Sequence, residues 1–289
     1  GDVDAGSPRR RCLRGGAEAR ARRRQLRRPV RHHVGAAERR DDGRRGAPHA
    51  LPRQQHLRQY APDQEDVHLR QHLHLDQTGQ GQLGRHRHHL LRTSSVGDDH
   101  DEIDFEFLGN ETGQPYTIHT NVFADGVGAK EVQFYPWFDP TDDFHNYTIL
   151  WNPSMIVWFV DSIPIRVFRN YASKGVPFPT KRPMYGFSSI WSADDWATQG
   201  GRVKTDWTKA PFVAEYNNMG LDVCECSGAD AECAARCNKD TPPEPSQLTK
   251  EQMRKLRAVQ LGYTIYDYCA KARDGGKGPV PPECDMEQY

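Results

Sequence analysis

In His100-Asp101-Glu102-Ile103-Asp104-Phe105-Glu106-Phe107, acidic and apolar residues alternate without a break from Glu102 onward. Successive side chains of a strand point to opposite faces, so Glu102, Asp104 and Glu106 share one face while Ile103, Phe105 and Phe107 share the other. The apolar face is core. Three carboxylates side by side repel one another and lose hydration, which is costly for stability alone, so the acidic face reads as chemistry. No His or second acidic triplet stands beside them at ligand-like spacing, and no metal or other cofactor is expected.

The Cα atoms of Glu102 and Glu106 are roughly 13 Å apart at ordinary strand rise, and long side chains leaning together narrow that gap. A retaining glycosidase needs carboxyl groups about 5 to 5.5 Å apart. One carboxylate attacks the anomeric carbon, and the other, kept protonated by nearby negative charge, protonates the departing oxygen. Asp104 between them shares a proton with the nucleophile.

Working outward, the runs Glu102 to Leu108, Tyr116 to Phe123, Glu131 to Trp137, Asn146 to Asn152, Met155 to Val160, Ile163 to Arg169, Met184 to Ile190 and Val213 to Asn217 read as strands. They are short, aromatic or β-branched, and bounded by Gly, Pro, Asn or Asp. This spacing predicts an all-β antiparallel sandwich. Val160-Asp161-Ser162-Ile163 predicts a hairpin turn, and Phe138-Asp139-Pro140-Thr141 a loop. One helix is expected after Thr249, which serves as N-cap with Gln252 three residues on, Leu248 and Met253 as a staple, and Met253, Leu256 and Val259 as an apolar stripe.

The chain has 289 residues and zero formal net charge, a balance of unlike parts. Residues 1–92 lack Lys, Asn, Ile, Phe, Trp and Met yet hold most of the Arg and His. Such a segment buries too little to offset its conformational entropy, so disorder is one expectation. Clustered Arg suits phosphate, but aromatics for base stacking are missing, and no nucleic-acid partner is expected. The other expectation is translation out of frame. Codons can be chosen so that a one-base shift of Asp66 to Arg92 ends in Gly-Asn-Ser-Ala-Gly-Thr-Val-Thr-Thr-Tyr-Tyr, an alternating, strand-like text. Sequencing the cDNA across Leu91 to Ser94 decides this. The expected organisation is therefore residues 1–92 as this Arg/His-rich segment, 93–222 as an incomplete β-sandwich, and 223–289 as a Cys-rich extension with the helix.

No apolar run approaches the roughly 18 residues that span a membrane, and no membrane partner is expected. The opening Gly1 has no leader-like stretch behind it, so the start reads as truncated or processed. Six of the seven Cys fall from Cys224 to Cys284, and two N-x-[ST] sequons begin at Asn110 and Asn146. Together they predict secretion. Zinc spacing is absent from the Cys cluster, whose pairing stays open on sequence grounds.

The stretch from His100 to Phe107, followed by Leu108-Gly109-Asn110, resembles the active-site pattern of the xyloglucan endotransglucosylase/hydrolase family, within glycoside hydrolase family sixteen. The resemblance continues through Thr120-Asn121-Val122-Phe123, Trp137-Phe138-Asp139-Pro140-Thr141, Asp143-Phe144-His145, Ile163-Pro164-Ile165-Arg166 and Ala193-Asp194-Asp195-Trp196-Ala197-Thr198. It covers about Thr93 to Cys284, and the shifted text of the first third also resembles the family. It implies a concanavalin-like jelly roll with a short C-terminal helix and a disulfide-linked tail. It also implies Glu102 as nucleophile, Glu106 as acid/base, Asp104 as helper and Asn110 as a glycan carrier.

Glucan contacts implied are Glu106, His119, Thr120, Asn121, Ala129, Lys130, Glu131, Asp195, Trp196, Gly200 and Arg273. His119 and Ala129-Lys130 stand where the family more often has Gln and Asn-Arg. Disulfides implied are Cys224 with Cys233 and Cys269 with Cys284, leaving Cys226 and Cys237. The partners implied are a xyloglucan donor and a xyloglucan oligosaccharide acceptor, met by a monomer in the cell wall or apoplast. Trp191 to Asp195 runs on without an insertion, which favours transfer to a sugar over hydrolysis. The rival expectations are a xyloglucan hydrolase, a non-catalytic glucan-binding module, and an inactive product whose first strands are missing, leaving sheet edges exposed.

Overall fold

The computed structural model describes residues 24–25, 30–34, 66–78, 88–94, 99–110, 113–180, 182, 184–191, 198–209, 212–226, 246–276 and 278–289. Thirteen strands run in chain order: β1 (Arg24–Gln25), β2 (Val30–Val34), β3 (Asp66–Thr78), β4 (His88–Ser94), β5 (Glu102–Leu108), β6 (Thr117–Phe123), β7 (Val132–Phe134), β8 (His145–Trp151), β9 (Met155–Val160), β10 (Ile163–Arg169), β11 (Tyr185–Trp191), β12 (Phe212–Cys226) and β13 (Thr264–Asp267). Three α-helices are described, α1 (Thr198–Gly201), α2 (Lys250–Gly262) and α3 (Tyr268–Arg273).

The strands form two antiparallel sheets. One has the order β1-β12-β3-β8-β9-β10 with β2 also on β12, and the other β11-β4-β5-β6-β7-β13. Residues 66–78 and 88–92 of the Arg/His-rich segment lie in strands, and β4 gives β5 a partner on the side away from β6. The tail contributes to the second sheet, because β13 pairs with β7. β12 is much longer than the run read from Val213 to Asn217, and it crosses the expected boundary after residue 222.

Alternation sorts β5 as the sequence predicts, with Ile103, Phe105 and Phe107 turned into the core. Ile103, Phe105, Phe107, Ile118, Val122, Tyr147, Ile149, Trp151, Ile156 and Trp158 are nearly all fully buried in one cluster drawn from both sheets. Residues of opposite parity on β9, Met155, Val157 and Phe159, form a second cluster with Leu150, Val167 and Leu256. Leu256 belongs to α2, so this helix covers the outer face of the first sheet. Its start is the predicted capping box, with Thr249 accepting from the Gln252 N–H and the Gln252 side chain accepting from the Thr249 N–H.

The predicted hairpin at Val160 to Ile163 is present, with Asp161 and Ser162 at φ of 48° and 64°. Two left-handed residues suit the twist of a two-residue hairpin, and Asp161 secures it by accepting from the Asn146 N–H at 2.9 Å. Cys269 and Cys284 are bonded, with Cα atoms 5.3 Å apart. Cys224 and Cys226 lie on β12, whereas Cys233 and Cys237 fall outside the described residues.

Candidate active site

The acidic row lies on the face of β5 away from the core. Glu102 and Asp104 are buried, and Glu106 is half-buried. Register extends the row sideways, because residues directly opposite on neighbouring strands share a face. On β6, Phe123 stands opposite Glu102, Asn121 opposite Asp104 and His119 opposite Glu106. Gln133 of β7 follows His119, and Tyr266 of β13 follows Gln133. Glu106, His119, Gln133 and Tyr266 thus form one cross-strand row. Sequence reasoning misses Gln133 and Tyr266; the period of two in β7 is a signal for Gln133, whereas Tyr266 joins only through the pairing of a tail strand. Burial first, then Glu131 and Asp267, raises the pKa of the Tyr266 hydroxyl.

Thr120 alternates out of the carboxylate row. It stands opposite Phe105 rather than a carboxylate, and its hydroxyl donates to the Val132 carbonyl at 3.2 Å and accepts from Arg166 at 2.9 Å. Alternation places it on the core face between His119 and Asn121.

The loop after β6 is bound tightly to the carboxylate strand. Asp101 accepts from the Asp125 N–H and the His100 carbonyl accepts from the Gly126 N–H, each at 2.9 Å. Asn121 Oδ1 accepts the Lys130 N–H at 3.1 Å. Lys130 is buried, and its Nζ donates to the carbonyls of Val127 and Gly128 at 3.0 and 3.3 Å. Burial lowers its pKa; Glu283 opposes that, and Arg166 adds to it. Lys130 therefore acts on its own loop, while Ala129 is exposed with φ of 59° and Glu131 is half-buried.

The Phe123 ring stacks on His100 with centroids 5.2 Å apart, and His100 Nε2 lies 3.8 Å from Glu102 Oε2. A Cβ on Gly128 would meet the Phe123 ring at 2.2 Å. Gly128→Ala is accordingly expected to push Phe123 off His100, lower kcat and cost about 1–3 kcal/mol, which thermal unfolding and steady-state kinetics check.

Among the remaining predicted residues, Gly200 sits in α1 with φ of 70° and is exposed. Arg273, at the end of α3, donates to the Cys284 carbonyl and to Asp285 Oδ1, so the structure ties it to the disulfide-linked tail. Asp195 and Trp196 fall outside the described residues. Asn110 follows β5, and its Nδ2 donates to the Pro115 carbonyl at 3.0 Å. Asn146 instead lies within β8, where its Oδ1 accepts from the Thr148 hydroxyl. Among the described residues no group of three His, Cys, Asp or Glu is placed to hold a metal, and no helix is long and apolar enough to cross a membrane.

The class of protein that carries this two-sheet antiparallel fold and its row of carboxylates is a glycoside hydrolase: residues 87–209 match Glycosyl hydrolases family 16. The chain is similar to xyloglucan endotransglucosylase protein 7 of Diospyros kaki, with 51% identity over 67% of this chain and 72% of that protein. It is 52% identical to xyloglucan endotransglucosylase/hydrolase protein 15 of Arabidopsis thaliana over 66% of each chain. The chain belongs to the xyloglucan endotransglucosylase/hydrolase family. It thus spans roughly two thirds of these relatives' lengths. Among solved structures, the Bacillus licheniformis beta-glucanase is 23% identical over 55% of this chain and 67% of that chain, with a TM-score of 0.40.

Proposed function

We propose that this chain cleaves and religates the β-1,4-glucan backbone of xyloglucan by a retaining double displacement, on a jelly-roll scaffold. The observation that carries the reading is the row Glu102, Asp104 and Glu106 on one face of β5, with Glu102 and Asp104 buried and Asn121 and His119 of β6 opposite Asp104 and Glu106. Glu102 attacks the anomeric carbon as Glu106 protonates the departing oxygen, leaving a glycosyl-enzyme. Glu106, now a base, takes the proton of an acceptor sugar hydroxyl, which displaces Glu102. Asp104 holds the nucleophile and shares a proton with it. His119, Asn121, Glu131, Asp195, Trp196 and Gly200 contact the glucan, with Thr120 and Lys130 supporting them from behind. The protein acts as a monomer outside the cell, in the wall, and carries its glycan on Asn110.

An assay with xyloglucan and a labelled xyloglucan oligosaccharide tests this. Label is expected in long chains; release of reducing ends without label transfer would make the protein a hydrolase, and binding without either would make it a glucan-binding module. Running the same assay on a chain whose first 92 residues are translated in the shifted frame tests the frame reading. Activity confined to the re-read chain supports it, and equal activity in both removes it.

A further inference from the structure

β10 contains a charged residue on a core-facing position. The register between β9 and β10 shifts between Pro164 and Arg166, and this bulge sets Arg166 opposite Trp158, on the inner face of the first sheet. Its guanidinium lies 4.8 Å from the Trp158 ring centroid and 5.9 Å from that of Tyr268. A cation buried between two sheets is retained only if its donors are satisfied. Arg166 Nη1 donates to the Thr120 carbonyl at 2.7 Å and to the Thr120 hydroxyl at 2.9 Å, and Nη2 donates to the Lys130 carbonyl at 2.5 Å.

Each of these acceptors belongs to a segment beside the carboxylate row. Thr120 stands between His119 and Asn121, whose side chains share the face of Glu106 and Asp104. Lys130 precedes Glu131, and its N–H is held by Asn121. Trp158, under the guanidinium, donates its indole N–H to the Asp104 carbonyl at 2.8 Å. On the far side Tyr268 bonds Glu283, a buried carboxylate beside the Cys269–Cys284 bridge.

We propose that Arg166 is a positioning residue for sugar binding, one planar fork that fixes the spacing between β6 and the 129–131 segment beside the carboxylate row. The proposal rests on the reading of the carboxylate face of β5 and β6 as a xyloglucan site. A Lys at this position keeps the charge but presents a single point donor in place of a planar fork, so it cannot hold both carbonyls in one geometry. Arg166 touches neither Glu102 nor Glu106 in this network; its loss therefore weakens binding held equally in ground and transition states, and leaves the chemical step in place.

The experiment compares the full chain with Arg166→Lys and Thr120→Val. It measures steady-state kinetics with xyloglucan, thermal unfolding, and hydrogen exchange resolved at the Lys130 amide. Arg166→Lys is expected to raise KM about tenfold with kcat within about threefold, and to speed exchange at Lys130 about tenfold or more relative to the β8–β9 amides. Thr120→Val, which removes one acceptor and keeps the backbone, is expected to shift both in the same direction by about two- to threefold.

Unchanged KM and exchange in Arg166→Lys would overturn the proposal. So would uniformly faster exchange across all strands with apparent kcat falling and KM unchanged, since that marks a fold residue. Should Arg166→Lys fail to fold, Thr120→Val decides by the Lys130 amide alone. Should the parent chain turn over no xyloglucan, the functional reading falls while the exchange comparison still decides the role of Arg166.

Discussion

Glu102→Gln is expected to retain xyloglucan oligosaccharide binding while losing turnover by at least about a thousandfold. Glutamine keeps the shape and a hydrogen-bonding oxygen but cannot form the glycosyl ester. Glu106→Gln, which removes the proton donor, is expected to lose about 10²–10⁴-fold on xyloglucan. The two variants separate on a glycoside whose leaving group needs no protonation. There Glu106→Gln should still release the leaving group in a burst, and Glu102→Gln should not. Initial-rate and pre-steady-state measurements on that substrate check the assignment, and a burst from Glu102→Gln would reverse it.

Phe105→Ala carries the largest expected loss of stability. Phe105 is fully buried, stacked on Phe107 with centroids 5.4 Å apart and edge-on to Tyr147 at the same centroid distance. Truncation removes apolar contact from both sheets at once and leaves a cavity that close-packed strands cannot collapse. The expected cost is about 3–5 kcal/mol, a large share of the roughly 5–15 kcal/mol that holds a domain folded. Thermal unfolding should fall by roughly 10 °C or more. Because Phe105 lies between Asp104 and Glu106 in the strand, activity should fall with the folded fraction while KM of the surviving protein stays unchanged. A changed KM would show that the strand itself had shifted.

The Glu102→Gln and Phe105→Ala effects arise on opposite faces of one strand, and both faces are legible in the order of its residues. A period of two in seven residues of β5 separates the carboxylates from the core. The hairpin at Asp161-Ser162 and the capping box at Thr249 are legible for the same reason, since each is set by backbone bonding within a few residues. The same period, applied to His119-Thr120-Asn121, places Thr120 on the core face, but a family motif read as a block hides that alternation. The short β13 is not legible, because Thr264 to Asp267 has neither the length nor the turn signals of a strand and is ordered by pairing with β7.

The sequence by itself determined the chemistry-bearing strand, the antiparallel class of the fold, the capped helix and the family. These follow from local periodicity and short-range hydrogen bonding, which a linear text records. Only the tertiary structure decided that Gln133 and Tyr266 continue the row of Glu106, that Lys130 turns back onto its own loop, and that Arg166 is buried. Each of these depends on register between strands far apart in the chain. For Arg166, the decisive step is a bulge beside Pro164 that turns a charge inward to meet the Thr120 and Lys130 carbonyls.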